Sequence, residues 1–512
     1  MPAQYPALLI VIFVSVVVLM IGKPVFTRFM TAEDFGRRRN IWLALTAASF
    51  LAPNIWVYVL IAAPLMYYGA QKDSNPVALY FLLVLAVPPT RIDLPTLGLI
   101  GQVFPLDHLR LLSLALVLPV AIRLSRARQA HQGGPVAARA GNAVIVVDAL
   151  LLAYLGLQVV LMLPHESITS TLRRIVLLVI DVVLPYFMVS RCCRNHDMIR
   201  EAMAAFVMAT VVLAPLGVFE FFRGWMLFAG IQEQWGGGRM YYPLYRGDFL
   251  RAQTTAGHSI NFGYFMAMAL GMWLYLQGRV ASRAWRLIGF LAIGTGLVVA
   301  LARGPWVGAA AVVVVYLSLG PRAGSRLLKG LSALGGLFGL IAVTPWGAKI
   351  VDFLPFVGTV DANTIYERQQ LAETSWYLIQ QNPVFGSPYF LAYMEDLRSG
   401  EGIIDLVNTY ATIALSFGLV GVGLFVGIFA TLVWKSFAII RYFSHVDPDS
   451  SLMGSALVAC IAGSLVVIAT TSYQLALPSV LWTIVALTAA YIQLAPRAEA
   501  RFSHFSFTKA QH

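Results

Sequence analysis

Charged residues are scarce in this sequence. Asp, Glu, Lys and Arg make up 12% of its 512 residues, about half the share typical of a soluble domain. Hydrophobic residues reach 59% and mean hydropathy is +0.75, so a water-surrounded globule is excluded. Cysteine is scarcer still. Cys192 and Cys193 are adjacent and Cys460 lies in an apolar run, which gives neither a disulfide framework nor a zinc site. No G-x-x-x-x-G-K-[ST] loop, H-E-x-x-H or G-x-S-x-G occurs, so no ATP-driven or metal-dependent catalysis and no cofactor is expected. The alternating segments of about ten residues that a membrane barrel needs are missing. Aromatics interleaved with basic residues, the mark of a single-stranded nucleic-acid groove, are missing too.

What the sequence has is long apolar runs. About 20 apolar residues cross a bilayer core as a helix, and isolated spans of that kind satisfy their backbone only as helices. The expected fold is all-α: a polytopic transmembrane bundle of about 12–15 membrane helices, some short or re-entrant, with a long, partly helical outer loop. Spans fall near 7–22, 41–69, 77–90, 108–124, 143–163, 173–190, 201–222, 258–277, 287–302, 305–320, 330–346, 408–432, 452–471 and 475–494. The N-terminal run lacks a basic n-region and a small-residue cleavage site, so it reads as a retained span. Much of the net charge of +12 sits in short basic loops around Arg123–Arg139, Arg191–Arg200, Arg279–Arg286 and Arg322–Lys329, which the positive-inside rule assigns together to the cytoplasm. Residues 41–69 fit that orientation only as a hairpin of two half-helices around Ala52–Asn54, each too short to cross fully. The resulting organisation is 1–222, N-terminal spans; 223–257, an outer loop; 258–346, further spans; 347–407, a long outer loop with an amphipathic helix around Tyr366–Gln381; and 408–512, C-terminal spans and a tail.

Several groups on the outer side carry candidate chemistry. Segment 223–257 holds Arg223, Arg239, Arg246 and Arg251 against Glu233 and Asp248. Topology does not ask for arginines there, and guanidinium groups grip phosphate oxygens bidentately; lipid headgroups or local acids would explain them equally. Ala302-Arg303-Gly304-Pro305-Trp306 joins two apolar runs and leaves an arginine close to hydrocarbon, where charge is retained for a reason or snorkels. Gln253, Asn261, Trp376 and Asn408 are candidate glycan contacts. His258 titrates near working pH and is either a base or a structural residue at a helix start. Leu371, Ala372, Trp376, Leu378 and Ile379 form an apolar side on the loop helix, with Arg368 projecting from its middle. Asp405 precedes the next span and is either a second candidate base or a helix N-terminal charge. Asp148, Asp181 and Glu220 are acids in or near spans, expected to couple protons or to pair with Arg173 or Arg174.

Taken in order, these motifs resemble a known family. Ala302-Arg303-Gly304 is similar to the Ser-Arg-Gly turn of the O-antigen ligase/polymerase superfamily. Glu367-Arg368 through Trp376, then Asn382-Pro383-Val384-Phe385-Gly386, resembles its Arg…Trp…Pro-x-x-Gly pattern. Val407-Asn408-Thr409-Tyr410 and Phe417-Gly418-Leu419-Val420-Gly421 resemble its His-Asn-x-Tyr and Gly-Leu-x-Gly ending. The resemblance covers roughly residues 250–425. It implies a metal-independent glycosyltransferase at the periplasmic face of a bacterial inner membrane, in exopolysaccharide or O-antigen biosynthesis. Its donor would be an oligosaccharide on a polyprenyl diphosphate and its acceptor a growing lipid-linked glycan. Arg246, Arg251, Arg303 and Arg368 would hold the diphosphate, and Asp405 or His258 would serve as base. Membrane lipids, a chain-length regulator and a flippase would be its partners. Val407 stands where the ligases carry histidine, which favours polymerase over ligase. A transporter or flippase is the remaining reading, although the repeated halves expected of one are not evident.

Overall fold

The structure is a computed structural model that describes residues 4–93, 104–130, 144–236, 242–319, short stretches between 324 and 336, 362–397, 404, 406–472 and 476–509. It is an all-α bundle, and the chain is a multi-pass membrane protein. Among the described residues, nine helices are long and apolar enough to cross a membrane. Among the described residues, strand is confined to two antiparallel pairs, β1 (Ile92–Asp93) with β2 (Pro105–Leu106) and β3 (Tyr245–Arg246) with β4 (Phe249–Leu250).

The first helices are α1 (Gln4–Phe26), α2 (Ala32–Leu51), α3 (Ile55–Lys72) and α4 (Pro76–Leu83). Thr31 caps α2 and Asn54 caps α3, each accepting a backbone N–H three residues on. The expected hairpin at Pro53 is present, but its arms are not short. With 20 and 18 residues, they measure about 30 and 27 Å at 1.5 Å per residue. The missing length is the basic stretch before residue 41, which is helical. Its Arg38 is fully buried between Asp73 (2.6 Å) and Glu201 (2.8 Å), so a charge read as lying outside the bilayer is neutralised inside the protein. The expected span at 77–90 is corrected too. Helix α4 ends at Leu83, and the buried chain beyond it leads to Pro88 and Pro89, which remove two backbone donors.

Next come α5 (His108–Leu112, running through a π-helical turn at Ser113–Val117 into Leu118–Ala130), α6 (Ile145–Met162) and α7 (Ile168–Leu178, a second π-turn at Val179–Val183, then Leu184–Cys192). Helix α8 (His196–Arg223) is the axis of the bundle, buried on all sides from Ile199 to Thr210. After a short α9 (Ala229–Trp235) come α10 (Ser259–Leu276), α11 (Arg283–Val299) and α12 (Arg303–Leu319). The loop helix α13 (Ala362–Gln381) follows, then α14 (Thr409–Val446), α15 (Pro448–Ile468) and α16 (Leu477–Lys509). Most of the expected span at 330–346 lies outside the described residues.

One end of the bundle gathers the basic loops. Asp449 receives Arg200 (2.6 Å), Arg279 (2.8 Å) and the Tyr275 hydroxyl (3.0 Å), Arg191 pairs with Asp148, and Arg123 donates to Gln71. The α8–α10 and α14–α15 corners therefore share an end, as the charge pattern requires. Helices α12 and α15 are in backbone contact. A Cβ added to Gly308 would lie 3.1 Å from Gly463 O, and one on Gly463 would lie 3.0 Å from Gly308 O. Gly304 and Gly308 thus form a small-xxx-small face that lets the two helices approach closely.

Candidate active site

The opposite end of the bundle holds the outer-loop arginines, and the sequence there folds around one carboxylate. Glu220, at the end of α8, is 1% exposed and makes no pair with Arg173 or Arg174. It accepts the backbone N–H groups of Leu227 (3.0 Å), Gln253 (2.9 Å) and Thr254 (2.9 Å), and so fastens the segment that carries Arg251. The segment is held from its other side as well, with Arg251 N donating to Leu244 O (2.8 Å) and Ala252 N to Val299 O (3.0 Å). Arg246, on the β3–β4 hairpin, donates from Nη1 to Leu301 O (3.0 Å) in the turn between α11 and α12.

Arg246 is the centre of the charge cluster. It feels the charges of Arg303 and Arg368, and burial together with those two guanidinium groups lowers its pKa. Arg251 adjoins Arg246. Burial, helped by that neighbour, pulls the Arg251 pKa down to about 10. The Arg251 Nε is buried with no hydrogen-bond partner. Among the described residues no carboxylate pairs with Arg246, Arg251 or Arg368. Arg246 and Arg251 are thus held as cations at a cost, an arrangement that an anion would stabilise.

A cavity of about 390 Å³ lies beside them, lined by Arg368, Ala372, Ser375 and Trp376 of α13, by Val407 and Asn408 at the head of α14, and by Thr470. Gly304, next to Arg303, abuts Thr470. The apolar side expected on the loop helix is present but serves two neighbours. Leu371, Ala372, Trp376 and Ile379 line the cavity, while Leu371, Leu378 and Ile379 pack on Phe390, Met394 and Leu415.

Backbone strain marks the same place. Among the described residues, the non-glycine residues with positive φ are Thr254 (46°), Leu301 (45°) and Val407 (48°). One follows Gln253 on the Glu220 carboxylate, one gives its carbonyl to Arg246, and one lines the cavity. Left-handed backbone is costly for branched side chains and tends to gather at working sites.

The two glycine motifs meet. Helix α14 is broken at Gly418 (φ 63°, ψ −168°), and the chain at Pro383–Gly386 docks its backbone into the break. Leu419 N donates to Pro383 O (2.8 Å), Val420 N to Val384 O (3.2 Å) and Ser387 N to Leu415 O (2.6 Å). Gly386 (φ 65°) and Gly418 face each other so closely that a Cβ on either would enter the other strand's backbone.

The remaining expected site residues divide. Asn408 lines the cavity and caps α14, its Oδ1 accepting from Tyr410 N (3.0 Å) and Ala411 N (3.2 Å). Trp376 lines the cavity and is 63% exposed. Gln253 is 1% exposed and donates to Tyr242 O (2.6 Å), and Asn261 is buried beside Ala256 O. Both hold the loop together instead of lining the cavity. His258 caps α10, its Nδ1 accepting from Ile260 N (3.1 Å). The neutral ring then carries its proton on Nε2, so the lone pair that a base needs is already engaged. Asp405 and Arg239 lie outside the described residues. Asp181 pairs with Arg110 (2.9 Å) and Asp148 with Arg191, so their expected partners are replaced by arginines on other helices. Among the described residues no group of His, Cys, Asp and Glu is arranged to hold a metal.

Comparison of the chain with known protein families and with curated proteins finds no match. The reading of the site therefore rests on its residues.

Proposed function

We propose that the chain is a membrane glycosyltransferase of the polysaccharide-polymerase kind, acting at the periplasmic face of a bacterial inner membrane on a polyprenyl-diphosphate-linked donor. The observation that carries the proposal is the meeting of Arg251, Arg303 and Arg368 around Arg246 at the end away from the basic loops. A diphosphate supplies negative charge to Arg246 and Arg251, with which no carboxylate pairs among the described residues, and the cavity lined by Arg368 has room for a saccharide. The acceptor hydroxyl oxygen attacks the anomeric carbon and forms the new glycosidic C–O bond. The C–O bond to the diphosphate breaks, its electron pair leaves on the phosphate oxygen, and the hydroxyl proton passes to a base. Guanidinium groups fixed where that negative charge grows favour the transition state over the bound donor. Asp405, which lies outside the described residues, is the expected base, since His258 Nδ1 is engaged. Val407 at the position where the resembling ligases carry histidine supports a lipid-linked repeat unit as acceptor over lipid A core.

The test is transfer between purified lipid-linked repeat units in proteoliposomes. Arg246→Ala and Arg303→Ala should abolish chain growth while the protein still inserts and folds. Normal chain growth in both variants would remove the proposal. In cells, loss of the gene should leave single repeat units; long chains retained on the carrier would point to a ligase, and units trapped in the cytoplasmic leaflet to a flippase.

A further inference from the structure

A second cavity, of about 490 Å³, lies between α5, α6, α7 and the head of α14. It is separated from the arginine cavity by the first turns of α14. Asn408 and Ala411 face one cavity, while Thr409, Thr412 and Ser416 face the other. Its lining includes three arginines and two aspartates, and most of that charge is already committed. Arg110 holds Asp181 through Nε (3.0 Å) and Nη2 (2.9 Å) and gives Nη1 to Pro105 O (2.5 Å). Arg91 stands 4.0 Å from Asp107, which also caps α5.

Arg174 is the exception. Its Nη2 donates to the neutral Gln158 Oε1 (3.2 Å), its Nε is buried without a partner, and among the described residues no carboxylate pairs with it. The same cavity is lined by Thr412 and Ser416, by Gln158 and by the aromatic residues Tyr154 and Trp482. Hydroxyls, an amide and flat rings are the groups that hold a sugar, and an uncompensated guanidinium selects an anion.

We propose that this cavity is a second saccharide site, taking a glycan that bears a negative charge, with Arg174 as the residue that recognises the charge. In naming this glycan as the acceptor, the inference rests on the glycosyl-transfer reading, but its binding property does not. The acceptor's anionic sugar sits on one side of the head of α14 and the donor's diphosphate on the other. The charge is a carboxylate or a phosphate on the sugar, and Arg174 reads either.

The experiment is saturation-transfer NMR and competition binding on the intact protein in detergent, with three trisaccharide probes: one containing glucuronate, one phosphorylated and one neutral. At least one charged probe should bind about tenfold or more tightly than the neutral one. That preference should be lost in Arg174→Gln, partly kept in Arg174→Lys and unchanged in Arg441→Ala, an exposed arginine near the other end of α14. The charged probe that binds identifies the group. Ser416→Trp fills the cavity from α14 and should block binding with Arg174 intact. Equal binding of the neutral probe, no binding of any probe, or a charge preference that survives in a folded Arg174→Gln would overturn the proposal. Failure of the transfer reading is a separate result: wild-type protein would make no product with any acceptor while the binding differences stood.

Discussion

Replacing Glu220 with Gln separates the role of this carboxylate from that of its shape. In the folded protein Oε1 accepts Leu227 N–H, and Oε2 accepts Gln253 N–H and Thr254 N–H. A Gln can keep its oxygen toward the latter two only by turning its NH₂ toward the Leu227 N–H, so that two donors face each other. The orphaned N–H costs about 1–3 kcal/mol, and the two surviving bonds lose charge assistance worth roughly 1 kcal/mol each. Relief of the buried charge offsets part of this, leaving roughly 2–4 kcal/mol of local destabilisation. The loss should fall on the 250–257 segment, where Thr254 is held at φ 46°, and not on the bundle. Hydrogen exchange in detergent should show the Leu227, Gln253 and Thr254 amides losing roughly 30- to 700-fold of their protection. Helix α8 between Ile199 and Thr210 should keep its protection, and chain growth should fall at least tenfold because Arg251 loses its anchor. If exchange at those three amides changes by less than about threefold and chain growth is unaffected, the carboxylate does not organise the site.

Other expectations follow from the same geometry. Because the folded pKa of Arg251 is lowered to about 10, the unfolded chain binds more protons around that pH. The contribution of Arg251 to the stability of the ligand-free protein should therefore rise with pH through this range. Thermal unfolding should show wild type gaining stability relative to Arg251→Gln as pH rises through about 10, and the variant should be as stable as wild type or more so at neutral pH while inactive. Arg38→Ala strands Asp73 and Glu201 in the interior and should cost about 3–5 kcal/mol, seen as loss of folded protein on size-exclusion chromatography. Gly308→Ala and Gly463→Ala force backbone apart at the α12–α15 contact and should each lower the unfolding temperature, whereas Gly294→Ala, whose Cβ meets nothing within 4 Å, should not.

Hydropathy and basic loops are enough to read the bundle and to gather those loops at one end of it, because apolar length and arginine placement answer directly to the bilayer. They misjudged α2 because Arg38 is neutralised by Asp73 and Glu201, partners far away in sequence that no local pattern announces. The 77–90 run failed for another reason: its residues are apolar because they are buried in protein, not in lipid. The arginine cluster was legible as charges that topology did not require, yet the central place of Arg246 was not, since it arises from the hairpin and from Leu301 O. The second cavity has a weaker signal in the sequence: Arg110 and Arg174 are arginines inside apolar runs, and by position alone Arg174 is a partner for buried acids. Gln253, Asn261 and His258 are polar for structural reasons, satisfying the backbone of Tyr242, Ala256 and Ile260 at a loop that must pass close to Glu220.

The seating of Gly386 in the break at Gly418 makes the trailing end of α13 a pivot. Three backbone bonds pin that end to a membrane helix, so any swing of α13 turns about it. Displacement must therefore grow along the helix toward Arg368, roughly 18 residues away or about 27 Å if helical throughout. In a helix hinged in this way the arc at Arg368 exceeds the arc at the hinge, whereas the close Gly308–Gly463 approach leaves α12 and α15 no comparable freedom.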